Sequence, residues 1–143
     1  MKSKCVNDGD EKTFVLILDE GDEPITILTD FARNEKISAG KFTAIGAFKK
    51  AVVGYYDMSS QEYKKISVDE QVEVLSLIGD IACHEDHPKV HAHVVLGRSD
   101  STVRGGHLIE ARVRPTLEIV LVESPEYLRR KMDPRSGLAL IEL

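Results

Sequence analysis

Three of the five histidines in this 143-residue chain lie within residues 89–108 (KVHAHVVLGRSDSTVRGGHL), at His91, His93 and His107. Neutral imidazole is a strong nitrogen ligand near pH 7. Three imidazoles with a fourth position left open make the donor set of a catalytic-type Zn²⁺ site, with metal–nitrogen distances of about 2.0–2.1 Å. Softer or redox-active metals accept the same ligands, so the set points to a transition metal ion first and to Zn²⁺ within that class. The competing explanation is that the histidines are polar residues on the wet face of a hairpin, so their placement decides.

Two residues apart on a β-strand, His91 and His93 point to one face. Residues 90–96 are rich in β-branched and aliphatic side chains, residues 102–109 read as a second strand, and Arg98-Ser99-Asp100-Ser101 supplies turn chemistry between them. With the turn centred on Asp100, His93 stands opposite His107 and His91 lies diagonal to it, so the three side chains converge. Slipping the register by one residue sends His107 to the other face unless a bulge corrects it. Gly105 and Gly106 remove side chains just before His107, as close backbone approach or a bulge requires.

His91-x-His93, followed on the next strand by Gly105-Gly106-His107-Leu108, resembles the signature of the PPC domain, the plant and prokaryote conserved family also catalogued as DUF296. Further pieces fall in the family's order: Gly40-x-Phe42-Thr43-Ala44-Ile45-Gly46-Ala47, Gly54-Tyr55-Tyr56-Asp57, Val74-Leu75-Ser76-Leu77-x-Gly79 and Glu118-Ile119-Val120-Leu121. The likeness runs over about residues 12–143, and the combination is far more specific than H-x-H or G-G-H alone. It implies a compact α+β domain that forms homotrimers. Prokaryotic members are described as DNA-binding-protein-like because plant relatives carry AT-hooks. This chain has no Arg-Gly-Arg-Pro hook, and Glu70-Gln71-Val72 stands where plant members have Gly-Arg-Phe.

The whole chain constrains what can surround the histidines. Its length suits one domain with a core that needs no disulfides; residues 1–12 form a polar, frayed lead-in and residues 13–143 the domain. Composition is 42% hydrophobic and 30% charged, and no apolar run approaches the roughly 20 residues of a membrane helix. A charged start without a signal-peptide pattern makes cytoplasm the expectation, where Cys5 and Cys83 are free thiols. A net charge of −5 opposes a broad nucleic-acid surface, so direct DNA binding is expected to be weak, with a protein partner as the route to any DNA association.

Apolar spacing gives a strand at residues 14–18, one amphipathic helix at about 24–36 closed by Gly40, and period-two strands through residues 41–57 with an irregularity at Lys49-Lys50. A tip at Ser59-Ser60-Gln61-Glu62 leads into an exposed edge strand at residues 63–67, and a core strand follows at residues 72–81. After the histidine hairpin, Pro115 breaks or edges the ladder, residues 117–122 return as a central strand, Ser124-Pro125-Glu126 starts a short helix to about Lys131, and residues 138–143 close the chain. The class is α+β, a largely antiparallel β-sheet of about seven or eight strands with one main helix.

Other chemistry-bearing residues are weighed against the triad. Cys83-His84-Glu85-Asp86-His87 is metal-capable in type, but before Pro88 it reads as a solvated loop. Glu110 is the nearest carboxylate after His107, and Arg112 and Arg114 are either anion ligands or a solvated strand end. The reading is a metal-binding homotrimer, with Zn²⁺ as the expected ion and a binding or regulatory output. The alternative is a hydrolase-like enzyme that uses water activated by the metal.

Overall fold

Phe14, Leu16 and Leu18 are buried and the residues between them are only partly so, which makes this run a strand with one face in the core. The structure, a computed structural model, describes residues 1–124 and 127–143. In chain order the elements are β1 (Lys2–Asn7), β2 (Thr13–Leu18), α1 (Pro24–Asn34), β3 (Ala39–Asp57), β4 (Glu62–Val68), β5 (Val72–His84), β6 (His87–Gly97), β7 (Val103–Glu123), β8 (Arg129–Met132) and β9 (Ala139–Glu142). The class is α+β as expected, a largely antiparallel sheet with nine strands among the described residues.

Four long strands frame the molecule. β3 pairs with β5 and β7, β5 pairs with β6, and β6 pairs back onto β7, so β3, β5, β6 and β7 form a closed, antiparallel ring. β2 extends it beyond β7, β4 beyond the second half of β3, and β8 joins β5 by a short parallel contact. Alternation along β6 sends Val90, Ala92, Val94 and Leu96 inward. The histidines therefore lie on the outer face.

α1 begins where Glu23 caps it, its carboxylate accepting from the Ile25 and Thr26 backbone N–H groups at 3.3 and 2.7 Å, with Pro24 in the first turn. Leu28, Phe31 and Ala32 enter the core, and Phe31 meets the edge of Phe14 at 5.2 Å. The helix ends earlier than residue 36, with Lys36 at φ 59° and the Ile37 N–H bonded to the Ala32 carbonyl. Gly40 does not close it; Gly40 is in β3, where a Cβ would stand 3.0 Å from the Val122 carbonyl.

Other expectations change too. Residues 2–7, expected to be frayed, pair with β2 as an exposed edge strand. The period-two stretch at residues 41–57 is one strand, whose register shifts around Phe48 and Lys50 mark the expected irregularity. Pro115 does not end the ladder. It lies inside β7 where the pairing to β3 shifts between Leu117 and Val113, a bulge in which no ladder donor is required. The helix start expected at Ser124-Pro125-Glu126 falls partly outside the described residues, and the end of that helix, expected to reach about Lys131, lies in the strand Arg129–Met132.

Candidate metal centre

The residues that connect β6 to β7 set the geometry. The Arg98 N–H bonds to the Thr102 carbonyl, the Asp100 carboxylate accepts from the Thr102 N–H and hydroxyl, and Ser101 takes a φ of 64°. The turn puts His93 directly opposite His107. Ring centroids stand 5.0 Å apart for His91 and His93, 5.2 Å for His91 and His107, and 5.6 Å for His93 and His107. One nitrogen from each ring lies within 4.8 Å of the others. Nitrogens sharing one tetrahedral ion at about 2.1 Å stand about 3.4 Å apart, a closure within reach of small χ1 and χ2 changes.

Two glycines allow the approach. A Cβ on Gly106, whose φ is 156°, would stand 2.7 Å from the Gly54 carbonyl of β3, and one on Gly105 would stand 2.8 Å from the Val94 carbonyl of β6. The Gly-Gly pair is thus where β7 is clasped between two neighbouring strands, immediately before His107.

Electrostatics favour the ligand form of the rings. Burial, followed by the neighbouring His91, His93 and Lys89, pushes the His107 imidazole down to about 4. Burial and His91 also lower His93, against an opposing pull from Asp80. Both are neutral at pH 7. His107 Nδ1 is buried without a hydrogen-bond partner among the described residues, and a metal bond there would satisfy it. On these grounds the residues fit a metal ion.

Sequence reasoning missed the groups around the triad. Asp80 of β5 stands opposite His91 in the ladder, with its carboxylate 3.7 Å from His91 Nδ1, an ion-pair distance rather than a hydrogen bond. Arg130 of β8, its side chain buried, holds the other Asp80 oxygen in an ion pair and donates to the Ala139 carbonyl at 3.0 Å. Burial raises the Asp80 carboxyl, but His91 and Arg130 together outweigh it and keep the group below the usual carboxylate range. On the other flank, the Tyr63 ring of β4 stacks on His107 at 4.8 Å. A signal for Asp80 existed: a two-residue turn at Glu85-Asp86 registers Asp80 against His91. Arg130 had none, since its segment reads as helix.

The remaining candidates lie elsewhere. Cys83-His84-Glu85-Asp86-His87 is that hairpin turn, with Glu85 and Asp86 at φ 50° and 63°, Cys83 buried and Asp86 3.6 Å from Arg129. Glu110 follows a register shift in β7, 3.5 Å from Arg112 and beside Lys50 and Asp69, away from the histidines. Arg114 pairs with Glu20 at 3.5 Å. The carboxylate at the site is Asp80, not Glu110.

The profile of the Plants and Prokaryotes Conserved (PCC) domain family matches residues 6–125. Among solved structures, a plant- and prokaryote-conserved protein from Pyrococcus horikoshii is 37% identical, with 92% of this chain and 91% of that chain covered and a TM-score of 0.86. A metal-containing protein from Archaeoglobus fulgidus is 38% identical, covering 92% and 94% at a TM-score of 0.86. A candidate DNA-binding protein from Ralstonia eutropha is 29% identical, covering 91% and 90%, also at 0.86. No functionally curated protein matches the sequence.

Proposed function

This chain belongs to the Plants and Prokaryotes Conserved domain family, and from that premise we propose that it is a metal-binding homotrimer whose output is a binding or regulatory event. The observation that carries the metal assignment is the convergence of His91, His93 and His107 within 4.8 Å. Two of the three rings are held neutral by burial and mutual repulsion, and the Archaeoglobus relative is a metal-containing protein. Zn²⁺ is our choice, since three imidazoles and an open position suit it best. When bound, the ion supplies Lewis acidity at that open position. His91, His93 and His107 would hold it, Asp80 orients His91, and Arg130 keeps Asp80 ionised and in place.

Trimerisation is supported by an apolar outer surface. Ile45, Leu75, Ile78, Val95 and Val120 are all more than two-fifths exposed. Across the sheet Val120, Thr43, Ile78 and His93 are successive ladder partners, so one row of side chains runs from this surface to the metal ligands. A cyclic assembly buries such a surface without leaving it open, and the family likeness selects three subunits. DNA association through a protein partner fits the Ralstonia relative and the net charge of −5.

Elemental analysis of protein purified without a histidine tag tests the assignment. Close to one transition metal per chain is expected, and none after His93→Ala; unchanged metal content in that variant overturns it. A second reading, hydrolase-like chemistry, is favoured by one observation: a cavity of about 300 Å³ opens beside His91, His93 and Asp80, large enough to admit a small substrate.

A further inference from the structure

We propose that the cavity between the triad and the β8–β9 hairpin is a binding site for a small organic carboxylate. It shares His91 with the larger opening, is otherwise lined by different residues, and holds about 100 Å³. Lys89 and Arg130 line it together with the Tyr63 ring and the apolar side chains of Leu138 and Leu140. No acidic residue is among the described residues that line it, in a chain that has 24 acidic and 19 basic residues.

Each wall has a separate reason to receive part of such a ligand. Arg130 Nε is buried and has no hydrogen-bond partner among the described residues, although the other guanidinium nitrogens hold Asp80 and the Ala139 carbonyl. That is a donor in want of an acceptor, on a residue whose charge and position are already fixed. Lys89 lines the same cavity, which gives it a second cation. Tyr63 is stacked on His107, which holds its ring as one wall of the cavity. Phosphate fits these walls poorly, since Leu138 and Leu140 would desolvate a doubly charged group without contacting any hydrocarbon. A carboxylate with a short hydrocarbon tail satisfies both ends: charge on Lys89 and Arg130, carbon on the leucines and the Tyr63 ring.

This inference extends the metal reading but stands on the cavity's own donors, so the test separates the two. Butyrate is titrated into the full chain by saturation-transfer NMR and calorimetry, once after metal removal with EDTA and once after loading with Zn²⁺. Saturable binding in both forms is expected, at least about tenfold weaker for the neutral isostere butyramide and for Lys89→Met, the loss of one charge-assisted bond. Lys89 is exposed, so that variant folds even if substitutions at buried Arg130 do not. Binding only in the Zn²⁺ form and unchanged in Lys89→Met would show carboxylate on the metal alone and overturn the pocket while leaving the metal reading intact. Butyrate binding by a protein that takes up no Zn²⁺ would support the pocket and overturn the metal reading instead. Phosphate competing as well as butyrate would overturn the carboxylate assignment, and no binding of butyrate in either form would overturn the site altogether.

Discussion

Replacing Asp80 with Asn removes one charge with almost no change of shape, and two separate effects follow from its two partners. Towards His91 the carboxylate stands 3.7 Å from Nδ1, on the side of the ring that leaves Nε2 to face a metal. Losing that partner is expected to weaken metal affinity about 10–100-fold, the range for an outer-shell carboxylate. Towards Arg130, whose side chain is only 5% exposed, the substitution leaves a buried guanidinium without its counter-charge, at a cost of about 3 kcal/mol. A chelator-competition titration reads the first effect, and urea unfolding in EDTA reads the second. The double variant Asp80→Asn/Arg130→Met separates them, because neutralising both members of a buried pair restores much of the stability while leaving His91 without its carboxylate. Metal affinity in Asp80→Asn within twofold of the parent protein, or recovered in the double variant, would refute the orienting role.

Gly106→Ala places a Cβ 2.7 Å from the Gly54 carbonyl and is expected to destabilise by about 2–4 kcal/mol and to lower metal content, checked by urea unfolding and elemental analysis. The metal-free protein should lose stability as pH falls from about 6.5 towards 4. Over that window the unfolded chain takes up a proton at His107 that the folded chain, with its imidazole at about 4, refuses, and the slope ends below it. Because the ring is only half buried, the loss is expected to be about 1–2 kcal/mol, read from urea midpoints in EDTA at pH 7.5 and 4.5. The isolated domain should bind duplex DNA no better than micromolar in about 150 mM salt by anisotropy, given its charge of −5. Sedimentation equilibrium should give three times the 15.9 kDa chain mass, with EDTA loosening the assembly because Ile78 and His93 are neighbours across the β5–β6 ladder; a monomer at micromolar concentration refutes both.

What the sequence made legible follows a physical division. Period-two alternation at residues 90–96 and the polar turn at Asp100 are local signals, and they suffice to set His93 against His107. Local signals failed where tertiary pairing outweighs them. Lys2–Asn7 has little of a strand in its composition and becomes an exposed edge strand only because β2 offers it a partner. Arg129–Met132 follows a Ser-Pro-Glu helix start, yet it is drawn into a strand by pairing with Ala139–Glu142 and by the Arg130–Asp80 ion pair. Pro115 reads as a stop because the sequence does not reveal that the chain on either side of a bulge pairs with the same strand, β3.

The same division explains why the triad could be located and its surroundings could not. Its three histidines come from one hairpin, so sequence spacing fixes their mutual placement. The residues that surround them come from β4, β5 and β8, 11 to 50 positions from their partners, and meet the hairpin on its outer face only where the β3–β5–β6–β7 ring closes. A carboxylate sought along β7 gave Glu110, whose distance along the strand from His107, at about 3.3 Å per residue, already carries it beyond ligand contact. One sought across the ladder gives Asp80. For an outward-facing site on a sheet, the partner strand rather than the next residue is where the supporting groups are to be found, and the two-residue turn at Glu85-Asp86 sets that register.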